Sequence, residues 1–316
     1  MNKKNKIYLA GHTGLVGSAI LIKLKELGYK RIFLRKRKQL DLTNQIKVFN
    51  YLKKIRPDTV IIAAARVGGI YANNKFRSEF IYDNLSIQNN IIHGSFLSGV
   101  KNLLFLGSSC VYPKHSKQPI KESYLLNGKL EFTNEPYAIA KIAGIKLCEN
   151  YNSQYNLNYK SLMPCNTYGP GDNYDLLSSH FFPALIRKIY NAKLKKIKSI
   201  IIWGDGTPKR ELLFVNDLAD ACIFFMNKKT KETLINIGSG KHFTITYYAR
   251  MIMKWLNYEV EIKFDYSKPN GTQQKLLDIH IAKKYGWKAK IDLKNGFLKT
   301  VEHLKKISRF KNNHFF

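Results

Sequence analysis

The chain has 316 residues, 45% of them apolar and 13% aromatic. That is enough for one large α/β unit or two coupled domains, and too apolar for a disordered chain. Lys and Arg number 53 against 22 Asp and Glu, a net charge of +31, but the lysines are scattered and no nucleic-acid module or zinc spacing accompanies them; drift towards Lys, with some attraction for a phosphate, explains the charge better than a nucleic-acid surface.

The four cysteines, Cys110, Cys148, Cys165 and Cys222, match neither a metal pair nor a disulfide framework. There is no signal-peptide pattern and no apolar run of about 18 residues. A cytoplasmic protein with reduced thiols, and without a membrane or nucleic-acid partner, is expected.

In chain order, residues 7–10 read as a strand and 14–27 as a helix with Val16, Ile20, Leu24 and Leu27 on one face, ended by Gly28. Residues 31–34 form a second strand, 45–55 a helix, 59–64 a third strand, 80–97 a helix and 102–106 a fourth strand. A helix over 136–150, opened by proline, and a fifth strand over 159–163 follow. Strict alternation of strand and helix means βαβ units. The expected fold is α/β, a Rossmann-type doubly wound parallel sheet with its ligand at the carboxyl ends of the strands. Residues 1–165 are expected to bind the dinucleotide. Residues 166–316, where the rhythm breaks, should form mainly a smaller α/β substrate lobe interleaved with the first. The stretch 307–316 suggests no function.

The turn after the first strand reads Gly11-His12-Thr13-Gly14-Leu15-Val16-Gly17. Glycines three apart permit a tight turn and close approach of a pyrophosphate, which the following helix N-terminus favours. An acidic residue ending the second strand would hold a ribose 2′-hydroxyl; here Leu34 is followed by Arg35-Lys36-Arg37-Lys38. Arginine there suits a 2′-phosphate, so NADP is expected, with Arg37 as a contact and Asp41 near the adenine.

Tyr137 and Lys141 lie four apart on a predicted helix and share a face. An ammonium beside the phenol is expected to lower its pKa, so that the tyrosine can pass a proton to a carbonyl oxygen. Ser108, just past the fourth strand, can hydrogen-bond the developing oxyanion.

The glycine loop, Gly107-Ser108-Ser109-Cys110-Val111-Tyr112-Pro113 and Tyr137-Ala138-Ile139-Ala140-Lys141 resemble the extended short-chain dehydrogenase/reductase family. Four longer stretches narrow the resemblance to that family's GDP-4-keto-6-deoxy-D-mannose 3,5-epimerase/4-reductases. They run from Ala63 through Val67-Gly68-Gly69 to Asn74, from Asn134 to Gly144, from Met163 to Pro170 and from Trp203 to Glu211. The match covers nearly the whole chain.

The resemblance implies Ser108, Tyr137 and Lys141 as the reductase triad and Cys110 with His180 as the epimerisation pair. It implies further cofactor contacts at Leu106, Gly107, Lys141, Pro164, Asn166, Thr167 and His180. For a GDP-sugar substrate it implies Lys188, Trp203, Arg210 and Asp278; at 188 the family often has Arg, and Lys lacks the bidentate fork. A homodimer using the 80–97 and Tyr137 helices is also implied. The implied activity is C3 and C5 epimerisation followed by NADPH-dependent C4 reduction to GDP-L-fucose. Alternatives are a colitose-type enzyme inverting C5 alone, a 4-epimerase that keeps NAD bound, disfavoured by the basic run, and a non-catalytic NADP sensor, disfavoured by the intact triad.

Overall fold

A computed structural model describes residues 1–310; positions 311–316, within the stretch 307–316 noted above, lie outside the described residues. The chain opens with β1 (Ile7–Ala10), α1 (Leu15–Glu26), β2 (Ile32–Phe33), α2 (Gln45–Ile55) and β3 (Thr59–Ile62). It continues through α3 (Ile70–Lys75), α4 (Arg77–Leu97), β4 (Asn102–Leu106), α5 (Glu135–Tyr155) and β5 (Asn158–Pro164). Then come β6 (Asn166–Tyr168), α6 (Phe181–Lys195), β7 (Ser199–Trp203), β8 (Lys209–Phe214), α7 (Val215–Asn227) and β9 (Leu234–Ile237). The rest is β10 (His242–Thr244), α8 (Ile245–Leu256), β11 (Glu261–Asp265), β12 (Gln274–Lys275), α9 (His280–Lys284) and α10 (Leu293–Phe310).

Six strands form the central sheet in the order β2-β1-β3-β4-β5-β9, every pair parallel. Strands covered on both faces need apolar residues at consecutive positions, and β1 and β3 are buried throughout. One helix layer is α2, α4 and α5; α1 packs with α7 on the other side. The anchors of α2 are Val48, Leu52 and Ile55, all buried, spaced for one helical face. Gly28, with φ of +80°, follows the end of α1 in the left-handed region where glycine is least costly.

The expected strands and helices of the first half are all present, with ends differing by a few residues. Two elements that build the first half escape the sequence reading, which names none beyond residue 165. One is α3, a short helix ahead of α4. The other is β9, which returns from the second lobe to complete the sheet beside β5, with Leu162 opposite Ile235.

The second lobe has its own core, in which Tyr168, Phe182, Ile186, Ile189, Tyr248, Ile252 and Phe297 are buried together. Its strands are few and short: β8 is flanked by β10 and β12, β6 also pairs with β8, and β7 pairs with β11. This lobe lies against the carboxyl ends of the central strands, and between the two runs a cleft of about 940 Å³.

Candidate active site

At one end of the cleft the chain turns from β1 into α1. Gly14 caps the helix without any side-chain hydrogen bond, and the first turn carries no acid, leaving its backbone N–H groups for an anion. Gly11, Thr13, Gly14, Leu15 and Val16 line the cleft. Gly17 stands behind them: a Cβ there would lie 2.0 Å from the Gly11 carbonyl oxygen, so only glycine lets the helix start this close to the loop. His12 also sits behind the lining, its Nδ1 buried without a partner among the described residues.

Arg35, Arg37 and Asp41 line the same end, whereas Lys36 and Lys38 do not. The Arg35 guanidinium lies 4.8 Å from the centre of the Tyr51 ring. The Asp41 carboxylate accepts hydrogen bonds from Thr43 N and Oγ1 at 3.0 and 2.8 Å, which hold it below the usual carboxylate range. A glycine cradle at a helix start, with two arginines past β2, fits a dinucleotide carrying a 2′-phosphate.

The reacting groups gather in the middle of the cleft. Tyr137 and Lys141 project from the first turns of α5, whose Pro136 fixes the entry of the helix. Lys141 is 3% exposed and donates to the Leu106 carbonyl at 2.7 Å. Burial pushes its pKa down to about 8, against a smaller upward pull from Cys110. Its ammonium stands 5.7 Å from the Tyr137 ring centre. The expectation that this ammonium lowers the Tyr137 pKa is corrected here. Burial first, and Cys110 second, raise it well above the ordinary phenol value. Lys141 is committed to a carbonyl, so the tyrosine holds its proton, the state a donor needs.

Ser108 leaves β4 in extended conformation and its Oγ lies 2.7 Å from Cys110 Sγ. Among the described residues the other three cysteines are buried and free. His180 caps the N-terminus of α6 and lines the cleft. Its surface is exposed to the cleft; desolvation by the surrounding walls, then the nearby Lys275, pushes its pKa down. The loop bearing Gly68 and Gly69 runs against the segment before His180. Gly69 N donates to Ser178 O at 2.8 Å, and a Cβ on Gly69 would lie 2.4 Å from Ser179 O. The glycine pair thus lets two loops from different lobes touch. Leu106, Gly107, Pro164, Asn166 and Thr167 complete this part of the lining.

At the far end, Trp203 lines the cleft between two ammonium groups, Lys188 at 5.8 Å and Lys268 at 5.9 Å from its ring centre. Lys188 also donates to the Ile201 carbonyl at 2.7 Å. Arg210, 8% exposed, donates to the carbonyls of Lys209 and Asn270 at 3.0 and 3.1 Å, and burial pushes its pKa down to about 10. Asp278 stands apart from these. It does not line the cleft; its carboxylate accepts from His280 N, at the start of α9, at 2.8 Å.

Two charged groups in the middle of the cleft are among the lining residues that escape the sequence reading. Lys275 lines the cleft from β12, and Glu131 from the segment before α5. Glu131 is 6% exposed and pairs with Lys114 at 3.0 Å. Nothing in the polar run Gln273-Gln274-Lys275 marks its lysine; only the pairing of Lys275 with Arg210 across β12 and β8 brings it to the site.

A model of the NAD dependent epimerase/dehydratase family matches residues 7–238. A GDP-L-fucose synthase of Sinorhizobium fredii is 48% identical over 297 residues, covering 94% of this chain and 94% of that protein. The GDP-L-fucose synthase of Escherichia coli is 46% identical over 308 residues, covering 95% and 96% respectively. Among solved structures, the Campylobacter jejuni GDP-mannoheptose C4 reductase with NADP bound superposes with a TM-score of 0.89 at 39% identity, covering 96% of this chain and 99% of that one. Fold, cleft and relatives agree along almost the whole length, and the chain belongs to the NAD dependent epimerase/dehydratase family, within the extended short-chain dehydrogenase/reductases.

Proposed function

We propose that this protein converts GDP-4-keto-6-deoxy-D-mannose to GDP-L-fucose, inverting C3 and C5 and then reducing the C4 ketone with NADPH. The observation that carries this is the juxtaposition of two sets of groups in one cleft. Ser108, Tyr137 and Lys141 suit carbonyl reduction, while Cys110 and His180 suit proton exchange beside that carbonyl. A C4 ketone acidifies the protons on both neighbouring carbons, and inversion needs a base on one face and an acid on the other. A reductase alone has no use for the second pair.

The 11–17 loop, Arg37 and the 106–107 and 164–167 segments would hold NADPH, which would supply the hydride. Ser108 hydrogen-bonds the sugar carbonyl, and Tyr137 gives its proton to the same oxygen. Lys141 holds the end of β4 against α5 through the Leu106 carbonyl. Lys188, Trp203 and Arg210 receive the GDP moiety. Residues 1–165 serve mainly the cofactor and 166–316 mainly the substrate.

The same reading places the protein in the cytoplasm as a homodimer. Its thiols are free, and α4 and α5 lie side by side with Tyr82 and Leu97 at 69% and 58% exposure. Among the described residues no helix is long and apolar enough to cross a membrane.

The test is one incubation in heavy water with NADPH and the keto sugar. NADPH oxidation with solvent deuterium at both C3 and C5 of a fucose product is expected. Deuterium at C5 alone, or reduction without inversion, would overturn the double epimerisation and leave a sibling reductase.

A further inference from the structure

Beyond Arg35 and Arg37 at the cofactor end and Arg66, which is paired with Asp83, the lysine and arginine side chains lining the cleft are Lys141, Lys188, Arg210 and Lys275. The first three of these four are committed to the protein itself, each donating to a backbone carbonyl. Lys275 is not. Among the described residues its ammonium has neither a hydrogen-bond acceptor nor a carboxylate within ion-pair distance. Glu131, the acid that acts on it through space, has its ion pair with Lys114.

The backbone around Lys275 is fixed. Leu276 N donates to Gln118 Oε1 at 2.8 Å, Leu277 N donates to Glu211 Oε2 at 2.9 Å, and the strand is in register with β8. A cation held on a rigid strand, with no acceptor of its own and only Cys110 and the Lys114-paired Glu131 as nearby negative groups, is placed for a charge that arises during the reaction.

We propose that Lys275 is a positioning residue for epimerisation, holding negative charge on Cys110 so that Cys110 removes the sugar proton and His180 returns one. The inference rests on the function proposed above. In each inversion the Cys110 thiolate takes the proton from carbon, and the C–H electron pair moves onto the C4 oxygen at Ser108 and Tyr137. The imidazolium of His180 then gives a proton to the opposite face of that carbon. One positive charge serves both roles, since it stabilises a thiolate and makes a neighbouring imidazolium a stronger acid.

Several groups face Cys110: Ser108 on its own loop, Tyr137 and Lys141 from α5, and Lys275 from β12; His180, at the start of α6, is near Lys275. Glu131 and Arg210 stand beyond Lys275. Lys275 repels a charge on His180, and burial acts on that ring in the same direction.

The test needs no sugar. Iodoacetamide is uncharged and alkylates thiolate, and the other three cysteines are buried, so its rate reports Cys110. In Lys275→Met the pH at which alkylation reaches half its maximal rate should rise by about one unit, a roughly tenfold slower reaction at pH 7. Lys275→Arg should stay close to the native profile. NADPH affinity, read by fluorescence quenching, checks that each variant is folded; if Lys275→Met is not, Lys275→Gln replaces it in the same comparison.

Coincident alkylation profiles for the native protein and the charge-free variant would overturn the proposal. A shifted alkylation profile with no deuterium entering the keto sugar would instead fail the functional reading and leave the Lys275–Cys110 coupling intact. Where the sugar does exchange, the pH profile of deuterium uptake should move by the same amount as the alkylation profile.

Discussion

Ser108 Oγ and Cys110 Sγ stand 2.7 Å apart, so the hydroxyl assigned to the sugar carbonyl and the thiol assigned to its neighbouring carbons share one hydrogen bond. On the proposed function, reduction and epimerisation would meet at a single serine. Ser108→Ala should slow NADPH oxidation by about 10²-fold, the usual cost of one oxyanion donor. It should also slow deuterium exchange at C3 and C5 several-fold, because the thiol loses its partner. Exchange at the native rate would show that the two groups act separately.

Tyr137→Phe should separate the two activities in the opposite sense. Burial and Cys110 keep the phenol protonated, which suits it to give a proton to the C4 oxygen. Its loss should reduce NADPH oxidation by about 10²- to 10⁴-fold. Deuterium should still enter the sugar, leaving an exchanged but unreduced keto product visible by NMR.

Arg37 faces the cleft just past β2, without a hydrogen-bond partner among the described residues. Removing a charge-assisted contact to a 2′-phosphate should weaken NADPH binding by about tenfold or more in Arg37→Ala. NADH, which lacks that phosphate, should be nearly unaffected. Equal loss for both cofactors would place the 2′-phosphate elsewhere.

Gly17→Ala tests the first turn. Its Cβ would lie 2.0 Å from the Gly11 carbonyl oxygen and 2.6 Å from the Gly11 carbonyl carbon, contacts that backbone cannot easily relieve. Overpacking of this kind costs about 1–3 kcal/mol. A lowered melting temperature and loss of NADPH binding are expected together.

Glu211, 1% exposed, accepts from Gly240 N at 2.6 Å and Leu277 N at 2.9 Å, and burial pushes its pKa up to about 7. Between its ordinary value of 4.5 and about 7 the native state holds a proton that the unfolded chain has released. This group's contribution to stability is therefore full below the lower value and fades as pH rises through the higher one. Glu211→Gln removes the titration. The stability gap between native protein and variant, measured by urea unfolding, should narrow from pH 4.5 to pH 7.5; a constant gap would exclude it.

Much of the architecture is legible in the sequence because parallel strands buried on both faces are apolar runs, and glycines three apart mark a phosphate turn whatever follows. Tyr137 and Lys141 are legible for a similar reason, since helix periodicity places them on one face. What the sequence hides is long-range. Leu234–Ile237 looks like any short apolar run until it is seen beside β5. Lys275 becomes a cleft residue only through its pairing with Arg210. Asp278 shows a different ambiguity: a short acid two residues before a backbone N–H can hold that N–H as readily as a ligand, and its Oδ1 accepts from His280 N. The Tyr137 pKa likewise turns on where the Lys141 ammonium points, which spacing alone leaves open.

The return of the chain to β9 also bears on how the molecule is made. Residues Ser161 to Pro164 of β5 are in register with Leu234 to Ile237. During synthesis, the first five strands emerge while their last neighbour is still inside the ribosome. Until residue 237 is out, the sheet ends on a buried-type strand with unpaired backbone groups, the kind of edge that seeks a partner in another chain. The intervening segment, which carries His180, Lys188, Trp203 and Arg210, is looped out between two adjacent strands. A nascent or truncated chain stopped near residue 165 is thus the species most exposed to aggregation, although it contains the whole glycine loop and both Tyr137 and Lys141.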